Sequence, residues 1–271
     1  MQLAGVQTGS SINRSHPLAR GLVGCWKVMP QRRGGVTWRD LCGRNNGTLT
    51  NVNTPAAWSG DTYRGGFGSI AFDGSDDYVN VPDGFTRTIA GLVQFSVTLW
   101  LKGNSFSNSP LIYTIPNGAG DLGFLETNST GSQVFWGVRS TALVQNSART
   151  YTCSVASGWN HIAVVKTAAG DNGNLYLNGV LQTSYTGTLY DNPSTASDIL
   201  FGKYSTAGLE FNGNLDDVRF YDRALSADEA KAIYREPGAI LNYRRAFWDV
   251  PASAQSVLPL FRHHYVSQGI A

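Results

Sequence analysis

The chain has 271 residues, 42% of them apolar and 15% charged, with a formal net charge of +2. That is enough apolar material for one large core, and too little charge, with no Lys/Arg block, for a nucleic-acid-binding protein. No run approaches the ~18–20 continuous apolar residues of a membrane-spanning helix, and 31 glycines against 2 methionines suit many tight turns between short strands.

Met1 to Pro17 is polar, rich in Ser, Gly and Gln, and has no periodicity, so it reads as an arm. It also has no apolar h-region, which argues against a secretory signal and for folding in a reducing cytoplasm. Leu22 to Trp26 begins the folded body, followed by a turn at Gln31 to Gly35 and a loop at Gly43 to Gly47. Ser69 to Val81 reads as a hairpin, with Ile70 and Phe72 before the Gly74-Ser75-Asp76 turn and Tyr78, Val79 and Val81 after it.

In Phe95 to Leu101, Phe95, Val97, Leu99 and Leu101 face one way while Ser96, Thr98 and Trp100 face the other. Trp100 on the polar side calls for cover, from a loop or from a ligand. Leu111 to Ile115, Gly123 to Glu126, Val134 to Arg139 and Trp159 to Lys166 continue as strands at the short spacing of a sandwich. Leu175 to Leu181 is a hairpin around Asn178-Gly179, the pair that suits a type I′ turn. Asp198 to Lys203 is the next strand, and Leu215, Val218 and Phe220 mark a half-buried closing strand.

Ser226 and Glu229 then form a capping box, and Leu225 staples onto Ala230. Ala230, Ile233 and Tyr234 share one helical face, and Pro237-Gly238 ends the helix. Beyond it, Tyr243 to Trp248 and Leu258 to Tyr265 set aromatics beside cations, too apolar for a solvated tail. This extension is expected to dock, on its own sandwich or on a neighbour. Arg244, Arg245, Phe247, Trp248, Phe261 and Tyr265 are the candidate assembly contacts.

Little in the chain points to catalysis. Glu occurs only at 126, 210, 229 and 236, and no strand carries paired carboxylates at the spacing of a jelly-roll glycosidase, whose acid and nucleophile sit ~5–5.5 Å apart. No Ser or Cys sits in a nucleophile elbow, phosphate-loop and dinucleotide fingerprints are missing, and His161 lies in an apolar strand as a core histidine. Cys25, Cys42 and Cys153 read as small buried thiols, with a Cys25–Cys42 bridge as the alternative. Asp73, the Gly74 carbonyl and Asp76 make an oxygen-rich turn, which serves either a hard cation or the turn itself. Trp100, Tyr113, Trp136 and Tyr204 are either ordinary core or a platform on which pyranose rings stack.

Five stretches in order carry a resemblance. They are Gly21 to Trp26, Asp40 to Leu49, Phe72 to Val79, Trp159 to Val165 and Gly213-Asn-Leu-Asp-Asp-Val-Arg-Phe-Tyr-Asp-Arg-Ala-Leu-Ser226. Together they resemble the laminin-G-like, concanavalin-A-like jelly-roll domains, from about Gly21 to Arg235. The resemblance implies an all-β, two-layer antiparallel jelly-roll sandwich with one short C-terminal helix and extended terminal arms. The divisions expected are residues 1–20 (arm), 21–236 (sandwich) and 237–271 (extension). It also implies that Asp216 on the closing strand joins early-strand oxygens around a structural calcium, with Asp73, Gly74 and Asp76 as further candidate ligands.

The Pro17 to Val23 opening and the Glu236 to Trp248 exit resemble phage-borne versions of the domain. With the signal-free N-terminus and the sparse cysteines, this leads to the expectation of a non-enzymatic virion protein, a capsid decoration or other particle-surface component. Its expected partners are the major capsid protein or further copies of itself in a homo-oligomer, with weak contact to surface glycans. The alternative is a calcium-dependent lectin or carbohydrate-binding module of a secreted or cell-surface protein. Fold alone decides neither.

Overall fold

The computed structural model describes residues 11–30, 33–52, 57–82, 94–105, 110–114, 122–128, 130–139, 149–152, 158–167, 173–185, 198–203 and 210–242. Its strands begin with β1 (Ser11–Ile12), β2 (Leu22–Trp26), β3 (Thr37–Trp38), β4 (Gly47–Thr50), β5 (Trp58–Ser59) and β6 (Ser69–Asp73). There follow β7 (Tyr78–Val81), β8 (Phe95–Ser105), β9 (Pro110–Thr114), β10 (Leu122–Thr127), β11 (Gln133–Arg139) and β12 (Arg149–Thr152). The series ends with β13 (Asn160–Lys166), β14 (Gly173–Leu177), β15 (Val180–Tyr185), β16 (Ile199–Phe201), β17 (Asn212–Tyr221), the helix α1 (Ala227–Arg235) and β18 (Leu241–Asn242).

Two antiparallel 8-stranded sheets hold most of these strands. One runs β15-β14-β13-β8-β17-β6-β5 with β2 also on β17; the other runs β12-β11-β10-β9-β16-β7-β4-β3. Inner side chains of both sheets form one core, with Val97, Leu99, Leu101, Ile162 and Val164 from the first against Val79, Val81, Leu125, Ile199 and Phe201 from the second. Trp26 bridges the layers, edge-on to Phe201 at 5.3 Å and to Phe220 at 6.0 Å. This is the expected jelly-roll sandwich.

The first sheet is covered on its outer face as well. Ala163, Val165, Tyr176 and Tyr221 pack there against Leu225, Ala230 and Ile233 of the α1 region and against Ile12, Leu18, Ala19, Ile240 and Leu241. Burial on both faces explains why Asn160 to Lys166 is buried at every position rather than alternating. It also corrects the expectation for the closing strand. β17 is not half-buried, because Asp216, Asp217 and Arg219 lie inside beside Leu215, Val218 and Phe220.

A second correction concerns Ser69 to Val81. β6 pairs with β17 and β5, whereas β7 pairs with β4 and β16 in the other sheet. The Gly74-Ser75-Asp76 turn therefore carries the chain from one layer to the other instead of closing a hairpin. Local alternation marks both strands but says nothing about partners. The Asn178-Gly179 turn does close a hairpin, with φ values of 52° and 74° that give the left-handed pair of a type I′ turn.

Helix α1 starts at the capping box: Ser226 Oγ accepts from the Glu229 N–H and the Glu229 carboxylate accepts from the Ser226 N–H. Arg223 clamps the same carboxylate with two hydrogen bonds of 2.7 Å. Ser96, on the outer face of β8, accepts from the Leu225 N–H and donates to the Arg223 carbonyl, which ties the helix entry to the sheet. Past α1, β18 pairs with β1, Ser11 opposite Asn242 and Ile12 opposite Leu241, so the two ends of the described chain meet.

Candidate functional site

β17 changes neighbour halfway along one edge. Asn212 to Leu215 pair with β6, and Val218 to Tyr221 pair with β2. Asp216 and Asp217 fall between the two ladders, and on the β8 side the register jumps between Asp216 and Arg219. Asp217 sits there at a φ of 53°, a left-handed conformation uncommon for a non-glycine residue.

A charged corner fills this gap. The Asp216 Oδ1 accepts from the Val28 N–H at 2.6 Å. The Lys27 ammonium lies 3.1 Å from Asp217 Oδ2 and 3.8 Å from Asp216 Oδ2, and it donates to the Tyr63 hydroxyl. That hydroxyl stands 3.0 Å from Asp216 Oδ2 and 3.1 Å from Asp217 Oδ2. Arg219 holds Asp217 through Nε to Oδ1 and Nη2 to Oδ2, both 2.7 Å, and donates to the Pro237 carbonyl.

The four charged residues are at most 2% exposed, and two carboxylates against two cations leave the corner formally neutral. Burial pushes the Asp216 carboxyl up, a shift that the Lys27 ammonium only partly offsets. Burial acts on Asp217 as well, but there Arg219 and Lys27 together outweigh it and hold the carboxyl well below the usual range. The Tyr63 phenol is driven up by burial and then by the two carboxylates.

Beside this corner lies an aromatic stack. Trp100 is 5% exposed, with Tyr63 parallel to it at 4.2 Å and Tyr234 of α1 stacked at 5.6 Å. His161 packs on the same indole at 5.2 Å, and burial pulls its imidazole down to about 3. Trp159 meets Tyr63 edge-on at 5.5 Å and donates from Nε1 to Asp61, which also pairs with Lys102 at 2.5 Å.

The cover that Trp100 requires thus comes from the protein itself, which removes Trp100 from the candidate sugar contacts. Nor do the other candidates share its sheet: Tyr113 is in β9 and Trp136 in β11 of the opposite layer. Tyr204 lies outside the described residues, as do Arg244, Arg245, Phe247, Trp248, Phe261 and Tyr265.

The acidic turn forms a separate place. Carboxylate oxygens of Asp73, Asp76 and Asp77 lie within 4.8 Å of one another, Asp73 and Asp76 exposed and Asp77 buried. The turn also uses them internally, since the Ser75 N–H donates to Asp73 Oδ1 at 2.8 Å and the Asp73 N–H donates to Asp77 Oδ2 at 3.0 Å. Asp77 joins the turn beside the candidates Asp73 and Asp76 read from the sequence. Asp216 does not join them. Asp73 stands opposite Asn212, so about 13 Å of strand separates it from Asp216. An all-carboxylate oxygen set has the donor type that calcium takes, whereas at Asp216 the Val28 N–H and the Tyr63 hydroxyl already occupy the two oxygens and an ammonium stands 3.8 Å away. The turn fits a hard cation; the corner does not.

Cys25 and Cys42 are free thiols, not a bridge, and Cys153 lies outside the described residues. Burial raises Cys25 and pushes Cys42 up to about 12, so neither is poised as a nucleophile. Two shallow cavities of 430 and 350 Å³ flank α1, sharing Arg235, Glu236 and Ala239 in their walls. Asp216 and Asp217 line neither.

A two-layer antiparallel sandwich of jelly-roll type, its closing strand locked by a buried charge cluster, defines a lectin-type β domain. The chain belongs to the Concanavalin A-like lectin/glucanases superfamily, whose family model matches residues 73–231. Among solved structures it is similar to domain 4 of AbnA, an extracellular arabinanase from Geobacillus stearothermophilus, in complex with arabinotriose, at 16% identity and a TM-score of 0.59, covering 79% of this chain and 98% of that one. It is also similar to the binding domain of botulinum neurotoxin serotype D, at 14% identity and a TM-score of 0.59, covering 80% of this chain and 51% of that one. Trypanosoma rangeli sialidase matches at 16% identity and a TM-score of 0.57, covering 81% of this chain but only 33% of the sialidase. At such identities the likeness is one of fold. A search of curated proteins finds no significant match.

Proposed function

We propose that the protein is a non-enzymatic structural component of a virion, a capsid decoration or other particle-surface sandwich of a bacteriophage, whose flanking segments contact neighbouring subunits. The observation carrying this reading is the β1–β18 ladder. Ser11 stands opposite Asn242, so the first and last described residues lie side by side. The sequence beyond Asn242 carries the aromatic and basic residues expected to make the contacts, while the charged corner is sealed and serves the fold. The experiment is co-sedimentation of the full chain with particles, beside a chain ending at Asn242. The full chain is expected to travel with particles and the truncated chain to stay free with an unchanged melting temperature. A full chain that remains monomeric and never co-sediments would refute the proposal.

A second reading, a lectin or carbohydrate-binding module, draws support from the fold shared with the arabinotriose-bound arabinanase domain. The remaining aromatic candidates are Tyr113, Trp136 and Tyr204, with calcium at the Asp73 turn as a structural ion. Glycan-array binding that disappears in Trp136→Ala while folding persists favours this reading, and a silent array counts against it.

A further inference from the structure

A strand that leaves two acids between ladders, in a corner closed to water, needs positive charge beside them, since an unpaired buried carboxylate is strongly unfavourable. Arg219 answers Asp217 by a two-pronged hydrogen bond. For Asp216 the nearest cation is Lys27, one residue past β2, with its ammonium 3.8 Å from Oδ2. That ammonium has three N–H donors and faces three oxygens, those of Tyr63, Asp216 and Asp217. A calcium ion needs about six to eight oxygens at ~2.3–2.6 Å, and it cannot share the space the Lys27 nitrogen holds. Asp216 Oδ1 is already committed to the Val28 N–H.

We propose that Lys27 is the resident counter-cation of this corner. It fastens the closing strand to the segment after the first strand without a metal. The corner is thus the reverse of the calcium site that the family resemblance implies for Asp216.

The test uses the full chain carrying Asp73→Asn and Asp76→Asn, so that the exposed turn does not respond in place of the corner. Thermal unfolding in EDTA and in millimolar calcium is expected to give one melting temperature; a rise with calcium would overturn the proposal. Lys27→Ala in the same background is expected to melt lower than its parent in EDTA and by the same margin in calcium. Equal melting of Lys27→Ala and its parent in EDTA would overturn the proposal, because the amine would then hold nothing. Should Lys27→Ala fail to fold, Lys27→Met fills the same volume without charge. It is expected to melt lower than the parent and to ignore calcium, and a Met variant as stable as the parent refutes the assignment.

Discussion

Arg219 grips Asp217, two residues earlier on the same strand, through two hydrogen bonds of 2.7 Å, with both side chains at most 1% exposed. The grip is possible because Asp217 takes a left-handed φ and turns its carboxylate back toward the guanidinium. Removing the guanidinium leaves a buried anion with only the Lys27 ammonium and the Tyr63 hydroxyl beside it. Arg219→Ala is expected to cost about 3–5 kcal/mol in urea unfolding, the range for breaking a buried pair from one side. Arg219→Lys keeps the charge but not the fork, and should fall between Ala and the native protein.

The corner and its neighbour His161 titrate in opposite senses. The Asp216 carboxyl rises from 3.8 to about 7, so its contribution is greatest in acid and is lost as pH rises toward 7. His161 falls from 6.5 to about 3, so its contribution is full above 6.5 and is lost as pH drops toward 3. Between pH 4 and 6.5 the two slopes oppose, and the native protein should show a shallow profile. Asp216→Asn should leave stability rising with pH across that window, and His161→Phe should leave it falling. Denaturant midpoints at a series of pH values check both slopes.

Trp100 holds Tyr63, His161 and Tyr234 together, so its loss opens a cavity that those rings cannot close. Trp100→Ala is expected to destabilise by about 3–5 kcal/mol. Its tryptophan emission should change, while any glycan binding by the folded variant should match the native protein.

The helix cap is a smaller and more local contribution. Ser226→Ala removes the acceptor for the Glu229 N–H and is expected to cost about 1 kcal/mol. Thermal melts should detect it, and Ser226→Asp should restore most of the loss.

Local chemistry was legible in the sequence. The Asn178-Gly179 turn, the Ser226–Glu229 box and the period-two strand at Phe95 each depend on residues a few positions apart, and each formed as expected. Pairing between distant segments was not. The Val28 N–H and Asp216 are 188 residues apart, and a lone lysine at position 27 carries no mark of its future anion. The same limit misassigned β6 and β7 to one hairpin, because alternation fixes a strand's faces but not its sheet. Trp100 announced a need for cover, but its cover comes from Tyr63 and Tyr234, which lie far apart in sequence on either side of it.

The position of β17 has a consequence for synthesis on the ribosome. β8, β6 and β2 all precede it, and all three pair with it. A nascent chain therefore carries those edges open until residues 212–221 have emerged. Three strands of the first sheet wait on a late-arriving ribbon, and a chain stalled before it would expose strand edges ready to join others of its kind.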